Sequence, residues 1–237
     1  FGAWHNVPIG TKQNGMGGFD TEFTVNSPLY VRHIGMLGDM AKKGLFTYAG
    51  RTNQGDAKFS SGECAMFSGS AGAQAGIKKA AKFDWSINFI PYHDDVKGAP
   101  QNSIIGGASV WIMGGKKPEE YKGVAKFMAF LSQPEIQMDW HTTTGYVPIT
   151  KASYELTRKS GFYDKNPGAD MPVRQLTNKA PTENSKGLRF GNFVQGRTVI
   201  EEELEAVFAG KKEAKAALDD AVKRGNEILR QFEAANK

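Results

Sequence analysis

The segment Ile104-Ile105-Gly106-Gly107-Ala108-Ser109-Val110-Trp111-Ile112-Met113 constrains the fold of this chain more than any other. It is an apolar, strand-like run broken by two adjacent glycines and followed by small residues. Glycine inside a strand pattern marks a bend, or a place where something must approach the backbone closely. A close approach would expose bare N–H groups, which suit an anionic oxygen. A β-bulge or crossing strand that binds nothing accounts for the same residues. What weighs on the choice lies elsewhere, at Ser70, Tyr146 and Arg197.

The 237 residues are enough for one large domain or two small ones with a sizeable core. Hydrophobic residues make up 40% and charged residues 23%, the composition of an ordinary water-soluble globular protein. No apolar stretch reaches the ~18 residues that a membrane span requires. The net charge of +5 is mildly basic, but lysines and arginines are interspersed with acidic residues. There is no dense basic stripe of the kind that tracks nucleic acid, so no nucleic-acid partner is expected. Cys64 is the only cysteine, which rules out an intrachain disulfide or a thiolate zinc site. The chain opens on Phe1-Gly2-Ala3-Trp4 without an initiator methionine, as the inside of a longer protein would.

Strands are expected at Glu22–Val25, Cys64–Phe67, Trp85–Pro91 and the glycine-bearing run 104–113. Helices are expected over 28–42, 55–61, 71–81, 118–132, 134–141, 151–159, 197–209 and 213–235. Pro28 and Pro118 stand at first helical positions, and Lys43-Gly44 and Gly210 stand at exits. Residues 160–191 carry Pro167-Gly168, Met171-Pro172 and Pro181 and are expected to be irregular. Strands alternating with helices indicate an α/β class.

Ser68-Gly69-Ser70-Ala71-Gly72 falls between an expected strand and an expected helix. It approaches the nucleophile elbow of serine hydrolases, but Ser68 replaces the first glycine, and a triad also needs a positioned histidine and acid. A strand-to-helix turn whose hydroxyl and N–H groups bind an anion is the simpler account. His5, His33, His93 and His141 are scattered, with no His-x-x-x-His or His-x-His pair, so no metal site is expected. His93-Asp94-Asp95 is expected to be a polar turn. Arg197 follows Gly191-Asn192-Phe193-Val194-Gln195-Gly196, where a helix is expected to begin. A cation there is unfavourable alone but sensible with an anion bridging the guanidinium and the helix N–H groups. The alternative is a surface arginine paired with Glu201 one turn on. Tyr146, in Thr144-Gly145-Tyr146-Val147-Pro148-Ile149-Thr150, lies on a loop between helices, where binding groups and packing residues both occur.

Several long motifs stand in a characteristic order: Gly62-Glu63-Cys64-Ala65-Met66, Val96-Lys97-Gly98-Ala99-Pro100-Gln101-Asn102, Ile105-Gly106-Gly107-Ala108-Ser109, Thr144 through Lys151, Gly161 through Asp170, and Glu202-Glu203-Leu204-Glu205. Together they resemble the periplasmic sn-glycerol-3-phosphate-binding proteins of the Ugp-type ABC importers, extracellular solute-binding proteins of the maltose-binding type. The resemblance covers essentially the whole chain, least closely at residues 1–20, and corresponds to the C-terminal portion of those proteins. It implies a two-lobed "Venus flytrap" of periplasmic-binding-protein type II. Residues 1–105 and 158–237 would belong to the C-terminal lobe and 106–157 to the N-terminal lobe. It implies a non-enzymatic periplasmic component that captures sn-glycerol 3-phosphate or a glycerophosphodiester in an interlobe cleft and delivers it to an inner-membrane ABC permease. Ser70, Gly107, Tyr146 and Arg197 carry over as ligand-binding residues, with no catalytic residue, metal or cofactor. A serine-dependent hydrolase of phosphorylated glycerol compounds acting through Ser70 is the alternative. Residues 106–157 would expose apolar faces unless a missing N-terminal-lobe segment or another chain covers them.

Overall fold

The computed structural model describes residues 1–236, which divide into two compact units. The first comprises residues 1–55, 92–104 and the described residues from 178 onward; the second comprises 56–91 and 105–177. Helices and turns supply the regular structure. Among the described residues the only β-pairing is an isolated antiparallel bridge between Gly10 and Phe23. The expected strands are therefore corrected: 64–67, 85–91 and 104–113 form no strand, and 22–25 contributes only that bridge. A strand persists only when a neighbour takes up its N–H and C=O groups, and these apolar runs have no neighbour in register.

The first unit opens with α1 (Thr11–Asn14), a single turn wound left-handed at Lys12, Gln13 and Asn14. Buried Asn14 steadies it: its side-chain oxygen accepts from the N–H groups of Ile9 and Gly10 at 2.8 and 3.1 Å. Helix α2 (Pro28–Lys42) starts on its proline and presents Tyr30 and Ile34 to the core. Helices α10 (Phe193–Phe208) and α11 (Ala214–Ala235) complete it. Tyr30, Ile34, Val207, Ala217 and Leu218 close one apolar cluster, and Phe23, Phe190 and Leu229 another.

Phe23, only 2% exposed, is the plug between the last two helices. A Cβ on Gly196 of α10 would stand 3.1 Å from its ring, and one on Gly225 of α11 would stand 2.8 Å away. Its N–H donates to Asn226 Oδ1 at 2.8 Å. Two glycine notches thus receive one ring, which sets the rotation of both helices. Asparagine amides do work that a sheet would otherwise do. Asn102 donates to the Lys179 carbonyl and accepts from the Lys179 N–H, both at 2.8 Å, copying one rung of a ladder with a side chain. Asn178 donates to the carbonyls of Pro100 and Gln101, and the Gln101 N–H donates to the Trp4 carbonyl.

The second unit contains α3 (Asp56–Ser60), a 3₁₀ turn (Ala71–Ala73) running into α4 (Gln74–Ala80), α5 (Pro118–Leu131), α6 (Pro134–Thr144) and α7 (Lys151–Lys159). Short helices α8 (Phe162–Lys165) and α9 (Met171–Leu176) follow in the stretch expected to be irregular. Its buried centre is largely polar. Thr150 Oγ1 donates to Gln137 Oε1, and Thr157 Oγ1 donates to the Ser153 carbonyl. Ile77 and Ala169 are its buried apolar side chains among the described residues, while Trp111 is 86% exposed. Val110, Met113, Phe127, Phe130 and Trp140 also lie open.

The glycine notches carry a stability prediction. Alanine normally stabilises a helix by about 0.5–1 kcal/mol over glycine, and Gly35→Ala in α2 should do so, since its Cβ meets only Ala214 at 3.8 Å. Gly225→Ala should instead destabilise by about 1–3 kcal/mol, because the Phe23 ring has nowhere to move. Urea unfolding of the two variants should show opposite signs; a stabilising Gly225→Ala would mean Phe23 is not locked.

Candidate functional site

Ser70 caps the 3₁₀ turn from an extended backbone (φ −70°, ψ 142°), and its Oγ accepts from the Gly72 N–H at 3.2 Å. The Tyr146 ring lies across the backbone of Gly72, where a Cβ would stand 2.6 Å from the ring carbon that bears the hydroxyl. The two loops are clasped. Gln74 Nε2 donates to the Gly145 carbonyl at 3.3 Å, and Gly145 turns left-handed (φ +86°) to end α6. A Cβ on Gly145 would stand 2.7 Å from the Ala71 carbonyl oxygen, so only glycine permits this approach. His141, at the end of α6, holds the Tyr146 carbonyl at 2.6 Å through Nδ1. A carbonyl only accepts, so Nδ1 carries the proton and Nε2 accepts from the Tyr163 hydroxyl at 3.0 Å. Burial lowers the pKa of His141, which keeps that neutral tautomer in place.

Ser70 and Tyr146 are thus neighbours around Gly72, both exposed to a ligand. Both ring nitrogens of His141 are engaged, and no histidine hydrogen-bonds Ser70 among the described residues.

Gly107 lies in the same unit, at a bend with φ +141°. Open space surrounds the position of a missing Cβ. A side chain there meets backbone strain rather than overlap, so a β-branched residue would not leave the local chain path intact.

Arg197 belongs to the other unit. Helix α10 begins at Phe193, so Arg197 sits in its second turn and not at the helix start that the sequence suggested. With Gly196 turned in against Phe23, Arg197 faces out, its side chain 57% exposed. Its Nε lies 3.4 Å from Glu201, and its terminal nitrogens make no hydrogen bond among the described residues.

Three of the four scattered histidines meet in the first unit, which their spacing did not reveal. His33 Nδ1 and His93 Nε2 are 3.2 Å apart, the His93 N–H donates to His5 Nε2 at 3.0 Å, and Phe1 stacks on His33. No group of histidine, cysteine or acidic side chains suited to a metal occurs among the described residues. Gly72, His141 and Tyr163, which seat Tyr146, also escaped the sequence. The small-residue run Gly69–Ala73 was the one available signal.

Residues 2–171 match the family model described as bacterial extracellular solute-binding protein. Over all 237 residues the chain is 55% identical to the sn-glycerol-3-phosphate-binding periplasmic protein UgpB of Pectobacterium atrosepticum, and 54% identical to that of Yersinia pseudotuberculosis. It spans about half the length of these relatives, 53% and 54%. Among solved structures it is similar to UgpB from Mycobacterium tuberculosis in complex with glycerophosphocholine, at TM-score 0.72 and 22% identity over 88% of this chain and 51% of that one. It is also similar to the cyclic α-maltosyl-1,6-maltose binding protein of Arthrobacter globiformis, at TM-score 0.55 and 16% identity over 89% of this chain and 50% of that one. These likenesses are consistent with a type II periplasmic-binding fold. No helix among the described residues is long and apolar enough to cross a membrane.

The histidine cluster carries a pH prediction. Burial first, then the neighbouring histidines, lowers the pKa of His33 to about 4. Its folded value lies below its unfolded one, so the unfolded chain takes up the proton first. The stability is present above about pH 6.5 and is lost as pH falls toward 4. With its partial exposure, the loss should be on the order of 2 kcal/mol. Urea unfolding from pH 7 to 4.5 should show a shallower pH slope in His33→Gln; an unchanged slope would place the cost elsewhere.

Proposed function

This chain belongs to the bacterial extracellular solute-binding proteins, and from that premise we propose that it captures sn-glycerol 3-phosphate or a glycerophosphodiester in the periplasm for an inner-membrane ABC permease. The observation that carries the proposal is identity above 50% sustained over the whole chain with proteins named for sn-glycerol-3-phosphate binding. Ser70, Gly107, Tyr146 and Arg197 are the ligand contacts in this proposal. The Tyr146 ring and the Ser70 hydroxyl, side by side at Gly72, offer a flat apolar face and a polar group for a glycerol moiety. The bend at Gly107 offers backbone without a side chain. Arg197 offers two terminal guanidinium nitrogens that make no hydrogen bond among the described residues, the edge that takes phosphate oxygens in a bidentate pair.

In this proposal the protein binds without chemistry, the Ser70 hydroxyl oxygen accepting from the Gly72 N–H. The lobe assignment goes with this function, with 1–105 and 158–237 in the C-terminal lobe and 106–157 in the N-terminal lobe. The apolar side chains open along 106–157, from Val110 to Trp140, suit a surface that further lobe structure or another chain covers.

Calorimetric titration of the intact protein with sn-glycerol 3-phosphate and with glycerophosphocholine, alongside a phosphate-release assay, tests the function. Binding without turnover is expected; turnover that disappears in Ser70→Ala would overturn it. Arg197→Ala should weaken binding by about ten- to hundredfold, the worth of a charge-assisted hydrogen bond, with little change in thermal stability. Arg197→Lys should recover only part of the loss, because an ammonium lacks the planar fork. Wild-type affinity in Arg197→Ala would remove the guanidinium from the phosphate site.

A further inference from the structure

Arg197 is one end of a row of alternating charges along α10. Its Nε lies 3.4 Å from Glu201 Oε1, one turn on, and the other oxygen of Glu201 lies 3.8 Å from Arg51 Nη1. Arg51 is gripped by Glu205, with Nε to Oε1 at 2.7 Å and Nη2 to Oε2 at 2.8 Å, and the Tyr48 hydroxyl donates to the same carboxylate at 2.9 Å. Hydrogen bonds from Arg51 and then Tyr48 hold the Glu205 pKa at about 2, so this anchor stays charged. The row runs from a fixed end at Arg51 and Glu205 to an open end at Arg197.

A long exposed arginine loses much rotamer freedom when a ligand orders it, which weakens binding. Glu201 approaches the Nε side of Arg197 and leaves the two terminal nitrogens unengaged. We propose that Glu201 is a positioning residue for the bound anion: steadied by Arg51, it holds Arg197 by its Nε side and presents the terminal nitrogens to a phosphate group. This rests on the function proposed above, in which Arg197 meets the phosphate. Glu201 touches the guanidinium and not the ligand.

The sign of one mutation discriminates. Removing a carboxylate beside a phosphate-binding arginine raises the local positive potential and, if Glu201 merely neutralised Arg197, would tighten anion binding. Positioning gives the opposite result. In the intact protein titrated with sn-glycerol 3-phosphate, Glu201→Ala should weaken affinity by about tenfold through lost preorganisation. Glu201→Gln, which keeps the length of the side chain and a polar oxygen beside Nε, should stay within about threefold of wild type. In an Arg197→Ala background, Glu201→Ala should add no further loss of affinity. Thermal melts identify variants that have not folded. Tighter or unchanged binding in Glu201→Ala, or an equal loss in both variants, would overturn the positioning role. Wild-type affinity in Arg197→Ala alone would instead remove Arg197 from the phosphate site, the reading on which this rests, so the two failures are distinguishable.

Discussion

Satisfying backbone polar groups without a sheet is the constraint on which the first unit depends. Segments around residues 4, 101 and 179 run together yet form no ladder, and an unpaired N–H or C=O shut away from water is costly. Asparagine resolves this because its amide presents the same donor and acceptor as a peptide bond. Asn102 pairs with the Lys179 backbone as a strand residue would, and Asn226 accepts the N–H of Phe23. Once Phe23 is held, the glycine notches at 196 and 225 follow, and with them the outward face of α10 that bears Arg197.

The second unit solves a different problem. Its buried side chains are mostly polar, Gln137, His141, Ser153 and Thr157 beside the apolar Ile77 and Ala169. Directional hydrogen bonds specify geometry, and one of them, His141 to the Tyr146 carbonyl, fixes the loop that carries Tyr146. The placement of the Tyr146 loop thus follows from a tautomer, matched by the hydroxyl of Tyr163 on the opposite ring nitrogen. Large apolar side chains from Ile105 to Met113 remain open to solvent, so this unit buries its polar groups better than its hydrophobic ones.

The local signals of helix formation were legible in the sequence. Pro28 and Pro118 each open a helix, and Gly44 and Gly210 turn left-handed just past two helix ends, because these residues act through φ angles and missing N–H groups that need no distant partner. The ordered motifs likewise identified the family before any geometry was known. The four candidate ligand residues could be selected by chain position, since a family motif is a property of residue order.

Tertiary structure alone decided what depends on residues far apart in the chain. Apolar alternation signalled strands, but a strand exists only with a partner, and none of the runs found a ladder. The Tyr146 ring over Gly72, the meeting of His5, His33 and His93, and the row joining Arg51 to Arg197 through Glu201 all bring together side chains whose proximity no local pattern encodes. Arg197 itself shows the division. Its residue type and place in the chain marked it as an anion ligand, whereas its second-turn position and its exposure came from where α10 begins and from Gly196 packing on Phe23.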